Sequence, residues 1–162
     1  MTSPDIIPYA QDWRGRVVEL AIRAWTPVFV KTRDEVPGFV FDAFYPHGWQ
    51  ARQAADVTAL LDGARDDVWL AVEKEELVGF LGLRLHPEDR MGEIHILAVA
   101  PEHQRQGIGR MLTDFAEAQF RARGMRMVMV ETVADSGHAP ARRTYESSGY
   151  QRWPVARYFK PL

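Results

Sequence analysis

The pattern of apolar and polar residues is clearest between positions 93 and 133, where it predicts a strand, a helix and a second strand. Residues 93–99 are mostly β-branched or apolar without helical spacing, and Pro101 follows them, which is typical of a largely buried strand. The next segment has one apolar face at helical spacing. That face comprises Ile108, Met111, Leu112, Phe115, Ala118 and Ala122. Gly124 ends the helix and residues 125–133 are again mostly apolar, so we expect a βαβ unit with parallel strands.

Shorter patterns in the N-terminal half predict three strands and two helices. The predicted strands span residues 5–9, 67–73 and 77–85, and the first of them is expected at a sheet edge. The predicted helices span residues 12–25 and 50–64, with Pro27 interrupting the first. Within the third strand, Gly79 and Gly82 indicate bulges or a close approach of another backbone.

Residues 27–49 are rich in aromatic side chains and poor in any regular pattern. The aromatic residues are Phe29, Phe39, Phe41, Phe44, Tyr45 and Trp49, and they are interspersed with prolines and glycines. One interpretation is a satellite cluster that packs a second helix onto the sheet. The other is the wall of a ligand pocket, since pockets are commonly lined by such side chains.

The C-terminal pattern predicts one more helix and a hairpin. Pro140 is suited to the first turn of a helix that ends at Gly149. Residues 150–153 and 155–160 are expected to pair as a hairpin that Pro154 breaks. The whole prediction is an α/β fold with a mixed sheet of seven strands and about four helices.

Composition excludes several classes of protein. The chain of 162 residues suits one domain spanning residues 1–162, and a net charge of −2 gives no electrostatic argument for a nucleic-acid or membrane partner. No apolar run approaches the ~20 residues of a membrane span and no secretory signal is visible, so a cytoplasmic location is expected. The absence of cysteine excludes disulfides and a cysteine nucleophile. The five histidines show no metal-binding spacing, so we expect no metal.

The turn between the central strand and its helix has the composition of an anion site. A helix that opens with Gly107 and Gly109 presents free backbone N–H groups at the positive end of its dipole, which suits phosphates. Gln104, Arg105 and Arg110 can add donors around it. An ordinary turn that needs glycine for its backbone angles is the alternative. Neither the dinucleotide fingerprint nor the triphosphate-binding loop fits, because position 112 is Leu and no Gly-Lys-Ser/Thr occurs.

Two motifs resemble those of the GNAT superfamily of acyl-coenzyme A N-acyltransferases. The first is Gln104, Gly107 and Gly109 placed after a strand that ends at Pro101. The second is a small helix with a tyrosine that ends at glycine followed by an aromatic residue. It comprises Ala141, Tyr145, Gly149 and Tyr150. The resemblance covers the second half of the chain, with both motifs in the family's order.

The resemblance implies a single GNAT-like domain, a mostly antiparallel mixed sheet with a parallel central pair, and acetyl-coenzyme A as acyl donor. The signature loop would grip the pyrophosphate, and the main chain of an opened central strand would pair with the pantetheine amides. The implied cofactor-binding residues are Leu97, Ala98, Val99, Gln104, Arg105, Gln106, Gly107, Ile108, Gly109, Arg110, His138, Arg142 and Tyr145. At His138 the family often has asparagine, and histidine can still donate a hydrogen bond.

The resemblance also implies catalytic roles. Transfer to an amine needs an unprotonated nucleophile, a stabilised oxyanion and a proton for the leaving thiolate. Glu93 matches the position where some family members place a general base, and His95 shares its strand face and could relay or replace it. Tyr145 matches the family's acid, because a phenol with pKa ~10 is protonated at neutral pH.

The leading hypothesis is an N-acetyltransferase that moves acetyl from acetyl-coenzyme A to a primary amine by direct attack in a ternary complex. A non-catalytic acyl-coenzyme A sensor and an O-acyltransferase are the alternatives. Retention of both Glu93 and Tyr145 favours the enzyme. The acceptor, a small molecule or a peptide amine, stays open, and the predicted C-terminal hairpin offers an edge for pairing with a second copy.

Overall fold

The computed structural model describes residues 3–63 and 67–162, which contain five strands and five α-helices. The strands are β1 (Asp5–Pro8), β2 (Val68–Glu73), β3 (Glu76–His86), β4 (Met91–Val99) and β5 (Met127–Val130). The helices are α1 (Arg14–Glu35), α2 (Gly38–Phe44), α3 (Trp49–Gly63), α4 (Ile108–Ala122) and α5 (Ala139–Ser147). Ala64, the last residue of the predicted second helix, lies outside the described residues.

The five strands form one mixed sheet in the order of the chain, β1-β2-β3-β4-β5. All neighbours are antiparallel except β4 and β5, which are parallel, and this confirms the predicted βαβ unit. β5 pairs with β4 only from Met91↔Met127 to Ile94↔Val130, whereas β3 pairs with β4 as far as Val99. In the described part of the chain, residues 95–99 therefore have no strand on their β5 side.

The prediction of seven strands is wrong, because the C-terminal hairpin does not form. Residues 151–162 lie outside any regular element and are exposed, with Trp153 retaining 86% of its accessible surface. Pro154 has no N–H to give to a ladder, and the segment is held by side chains instead. The Phe159 ring contacts Phe44 at 5.8 Å between centroids, and Arg157 pairs with Glu131 at 3.5 Å.

The expectation that Pro27 interrupts the first helix is also wrong. α1 continues through Pro27 to Glu35, although an interior proline costs about 3 kcal/mol of helix stability. Contacts with the segment after β5 hold this second half of the helix in place. Thr32 donates from Oγ1 to Asp135 at 3.0 Å, and Glu35 accepts from the Ser136 backbone at 2.9 Å.

The aromatic residues of positions 27–49 gather where α1, α2 and α3 meet. Phe29 of α1 stacks on Trp49 of α3 with centroids 4.4 Å apart, and the Tyr45 ring, directly after α2, lies 5.3 Å from that of Phe29. These contacts join α2 to α1 and α3, and Phe44 and Tyr45 also line a cavity, so the aromatic residues have features of both interpretations.

Two apolar clusters cover the two faces of the sheet. α1 and α3 pack on one face, which we call the α3 face, around Val17, Leu61 and Phe80. α4 packs on the other face through Leu112 and Phe120.

Glycine is required where the backbone approaches its neighbours. A Cβ on Gly82 would lie 2.7 Å from Ile96, and one on Gly79 would lie 2.9 Å from the Ala98 carbonyl. A Cβ on Gly92 would lie 2.2 Å from the ring of Phe120, so α4 can rest directly on β4 only at a glycine.

Among the described residues, no helix has the length and apolarity that crossing a membrane would require.

Candidate functional site

The turn before α4 carries a row of unused backbone donors. Arg105 and Gly107 have left-handed φ angles of 62° and 87°, and the helix begins at Ile108. No hydrogen bond within residues 3–63 and 67–162 uses the N–H groups of residues 105–110, and the first to be used is that of Met111, which donates to Gly107. A Cβ on Gly107 would meet nothing within 4 Å, so the turn is open on that side. The arrangement fits an anion such as a diphosphate at a helix N-terminus.

Two glutamines next to these donors hold the turn itself. The Gln104 side-chain amide donates to the Val99 carbonyl at 3.1 Å, and the Gln106 amide donates to the Glu102 carbonyl at 3.1 Å. Arg105 has no partner among the described residues, and the Arg110 guanidinium lies 3.7 Å from Asp114 on an exposed surface. The two arginines are the side chains near the turn that remain available to an anion.

The open edge of β4 lies directly before this turn. Leu97, Ala98 and Val99 pair with β3 on one side, and no strand of residues 3–63 and 67–162 pairs with them on the other, while Gln104 already satisfies the Val99 carbonyl. The register shifts between Gly82 and Leu83, so that Ile96 faces Gly82, Ile94 faces Leu83, and His95 is the extra residue of a bulge.

Glu93 lies between two histidines on the α3 face. Its Oε2 is 2.7 Å from His86 Nε2, and its Oε1 is 3.3 Å from His95 Nδ1. Desolvation acts to raise the pKa of the Glu93 carboxyl, but the hydrogen bonds to His86 and His95, helped by the charge of Arg84, hold that pKa below its usual value. The carboxyl group is therefore ionised at neutral pH.

A cavity of about 500 Å³ lies beside this cluster, between α3 and the strands β3 and β4. It is lined by Asp56, Ala59, Leu60, Gly63, Arg84 and His95. Of the cluster formed by His86, Glu93 and His95, only His95 lines the cavity. A second cavity of about 300 Å³ shares Asp56 with the first and extends past Phe44 and Tyr45 to Arg157 of the C-terminal segment.

Tyr145 and Tyr150 lie side by side with ring centroids 5.7 Å apart. Burial raises the pKa of Tyr145 to about 12, and its hydroxyl has no partner among the described residues. The Tyr150 hydroxyl donates to Glu117 at 3.3 Å, and burial followed by the Glu117 charge also raises its pKa. Tyr145 is thus the tyrosine whose proton is free to be donated elsewhere.

His138 and Arg142 are tied to the segment that follows β5. Asp135 accepts from the His138 ring at Nδ1 over 2.8 Å, which leaves Nε2 unused. Burial acts to raise the pKa of Asp135, but the His138 ring and the other donors hold it below its usual value. Arg142 donates to the Val133 and Asp135 carbonyls at 2.6 Å and 2.7 Å, so part of its guanidinium is already engaged.

Sequence reasoning missed His86 and Asp56. His86 reaches Glu93 only because β3 and β4 pair with His86 opposite Met91 and Arg84 opposite Glu93. Alternation along β3 places Arg84 and His86 on one face, which the sequence could have indicated, but the partner strand and register had to be known. Asp56 reaches the cavity from α3, and no local pattern marks it.

One further group of ligating side chains occurs among the described residues. Glu76, Glu102 and His103 bring their ligand atoms within 4.8 Å of one another. Arg23 pairs with Glu102 there and already neutralises one carboxylate.

Comparison with known proteins gives one family and one fold. A family model described as the acetyltransferase (GNAT) family matches residues 33–150. A mycothiol acetyltransferase from Thermomonospora curvata is 38% identical over 88 residues, which is 54% of this chain and 29% of that protein. The chain thus spans less than a third of the length of this relative.

Two solved structures share the fold at low sequence identity. An N-acetyltransferase from Thermoplasma acidophilum in complex with coenzyme A has a TM-score of 0.68 at 14% identity, covering 96% of this chain and 94% of that one. The ribosomal-protein-S18-alanine N-acetyltransferase from Escherichia coli has a TM-score of 0.66 at 19% identity, covering 98% and 84%.

Proposed function

The chain belongs to the GNAT acetyltransferase family, and from that premise we propose that it transfers an acetyl group from acetyl-coenzyme A to a primary amine. The observation that carries the proposal is the row of unused N–H groups from residue 105 to residue 110, next to the open edge of β4. These donors suit the diphosphate of coenzyme A, and Arg105 and Arg110 suit its remaining charge. A thioester placed along residues 97–99 would lie on the strand that also carries Glu93 and His95.

The acceptor amine would be deprotonated beside the cavity of His95. An amine with pKa ~10.4 is mostly protonated at neutral pH, so a base is needed before it can attack the thioester carbon. His95 lines the cavity and Glu93 contacts its other ring nitrogen, so the pair can take up the proton. The N–C bond forms first and gives a tetrahedral oxyanion, which backbone N–H groups of the open strand edge can stabilise, and the C–S bond then breaks as the carbonyl re-forms.

The leaving thiolate would receive its proton from Tyr145. The phenol stays protonated at any working pH, because burial raises its pKa to about 12. In the same desolvated surroundings burial would raise the pKa of the departing thiol as well, so the high pKa of the phenol does not by itself oppose the transfer. Tyr145 is then reprotonated from solvent, to which His95 releases the amine proton, and the reaction balances as amide plus free coenzyme A.

The turn can be tested with a substitution that the fold tolerates. A Cβ on Gly109 would meet only Val99, at 3.9 Å, so the first side-chain carbon is accommodated, and the branched side chain of Gly109→Val extends from it beside the turn where the diphosphate is expected to lie. We expect the wild type to bind acetyl-coenzyme A by calorimetry and to release thiol when amines are screened. In the variant we expect affinity for acetyl-coenzyme A to fall about tenfold or more.

Gly15→Val is the matched control, since Gly15 lies in the first turn of α1 with nothing within 4 Å of its Cβ position. Equal acetyl-coenzyme A affinity of the Gly109 and Gly15 variants would contradict the proposed diphosphate site. Tight binding by the wild type without thiol release for any amine would favour an acyl-coenzyme A sensor instead.

A further inference from the structure

Glu93 has a histidine at each of its two oxygens, and one of them, His86, has no role in the reaction proposed above. We propose, on the basis of the acetyltransferase function above, that His86 is a positioning residue which holds Glu93 against His95. Glu93 then orients the His95 ring, and His95 is the group that accepts the amine proton in the cavity.

The geometry of the carboxylate supports this division of roles. Glu93 has 15% of its side-chain surface exposed, and each of its two oxygens has a different histidine partner. The contact with His86 is short, at 2.7 Å, while that with His95 is 3.3 Å. His86 is thus the closer anchor of the carboxylate, and the looser contact belongs to the histidine that lines the cavity.

The strand register makes the arrangement specific. His86 and Glu93 lie on neighbouring antiparallel strands, on the same face, two pairs apart along the ladder. Alternation places His95 on the α3 face beside Glu93, and the bulge adds one residue to β4, so that Ile96 also returns to that face. A regular ladder would continue the alternation undisturbed and leave Ile96 on the opposite face from the core cluster that it packs against.

The hydrogen bonds determine which nitrogens can carry protons. If Glu93 is ionised, it accepts from Nε2–H of His86 and from Nδ1–H of His95, and the Nε2 of neutral His95 is left with a lone pair. That nitrogen can take the proton of the amine, and the imidazolium that forms is stabilised by the Glu93 carboxylate. Without His86, one oxygen of Glu93 loses its partner and the carboxylate is free to turn away.

Other charged groups face the cluster. Arg84 is opposite Glu93 on β3, Glu88 lies 3.9 Å from His86 Nδ1, and Asp56 lines the cavity from α3.

The test compares His86→Leu, which cannot donate, with His86→Gln, whose amide can. We expect kcat to fall about tenfold in His86→Leu with the KM for acetyl-coenzyme A unchanged, and to recover in large part in His86→Gln. His47→Leu, a substitution of an exposed histidine between α2 and α3, is the control and should leave both constants unchanged.

Nitrogen NMR of the histidine rings gives a readout that needs no turnover. At about pH 8 we expect His95 to carry its proton on Nδ1 in the wild type and in His86→Gln, and to shift toward the Nε2–H tautomer in His86→Leu. An unchanged His95 tautomer in His86→Leu, or equal loss of kcat in the Leu and Gln variants, overturns the positioning role. A wild type without acetyl transfer overturns the proposed function alone, since the tautomer measurement still decides the role of His86.

Discussion

The open edge of β4 on its β5 side and the α3 face of the same strand differ in the chemical groups that they offer. On the β5 side, the candidate site for the acyl donor consists of backbone N–H groups from residue 105 to residue 110 and an unpaired strand edge. On the α3 face, the candidate site for the acceptor consists of side chains, with Glu93 held between two histidines beside a cavity. Backbone groups are the same for every sequence that adopts the fold, whereas side chains differ from chain to chain.

This difference explains which candidate site relatives can share and which one can differ among them. The proteins that share the fold or sequence carry different names, among them mycothiol acetyltransferase and ribosomal-protein-S18-alanine N-acetyltransferase. A donor site made of main chain can be shared across them at 14% to 19% identity. It follows that the donor side should tolerate loss of side chains but not added bulk, while the acceptor side should respond to single isosteric changes.

The largest effect is expected at Tyr145, where the two sides meet in our mechanism. Removing the phenol proton donor in Tyr145→Phe should lower kcat about a hundredfold, while affinity for acetyl-coenzyme A stays near that of the wild type. Steady-state kinetics and calorimetry measure the two quantities separately. An unchanged kcat would exclude Tyr145 as the acid.

Tyr150→Phe is the matched control, because the Tyr150 hydroxyl is already bonded to Glu117.

Since burial raises the Tyr145 pKa to about 12, the wild-type rate should show no loss from phenol ionisation at about pH 9 to 10. A phenol pKa raised above its usual 10.0 also means that the folded state keeps its proton longer than the unfolded state, so protein stability falls from about pH 10 to about 12.

The next effect is expected at Glu93, on the side built from side chains. Glu93→Gln keeps the shape but removes the charge that stabilises protonated His95, so kcat should fall about tenfold with little change in the KM for acetyl-coenzyme A. Glu75→Gln, in the exposed turn between β2 and β3, is the control. A rise in that KM with normal kcat would place Glu93 in donor binding instead.

We also expect the Glu93 carboxyl to make the stability of the folded protein depend on pH. Its pKa is held below the usual 4.5, so the carboxylate stabilises the folded state above the unfolded pKa, and this contribution is lost as pH falls through the folded pKa. Denaturant unfolding at about pH 7 and about pH 4 should therefore show a smaller acid loss of stability in Glu93→Gln than in the wild type. Equal losses would show that Glu93 has no favourable partners in the folded protein.

The smallest effect is expected from a side chain on the donor side. Arg105 is exposed and without a partner among the described residues, so Arg105→Ala should weaken acetyl-coenzyme A binding only about two- to fivefold at low salt. Arg126→Ala, which removes another exposed arginine, controls for net charge. A loss comparable with that of Gly109→Val would show that the arginine side chain, and not the main chain, dominates acetyl-coenzyme A binding.

The βαβ unit and the glycine turn between its strand and helix follow from the amino-acid sequence alone. Both depend on neighbours in the chain: residue spacing sets the helix face, and a helix N-terminus has free N–H groups whatever surrounds it. The close approaches at Gly79 and Gly82, and the places of the five strands along the chain, were also predicted for this local reason.

Only the tertiary structure decided the rest. α1 passes through Pro27 because the segment after β5 holds its far end, and residues 151–162 remain outside the sheet although their pattern suggested a hairpin. His86 meets Glu93 through strand register, and α3, from a distant part of the chain, forms the cavity beside His95. Each of these depends on contacts between segments far apart in the chain, whose energies outweigh local preference and leave no mark in the local sequence.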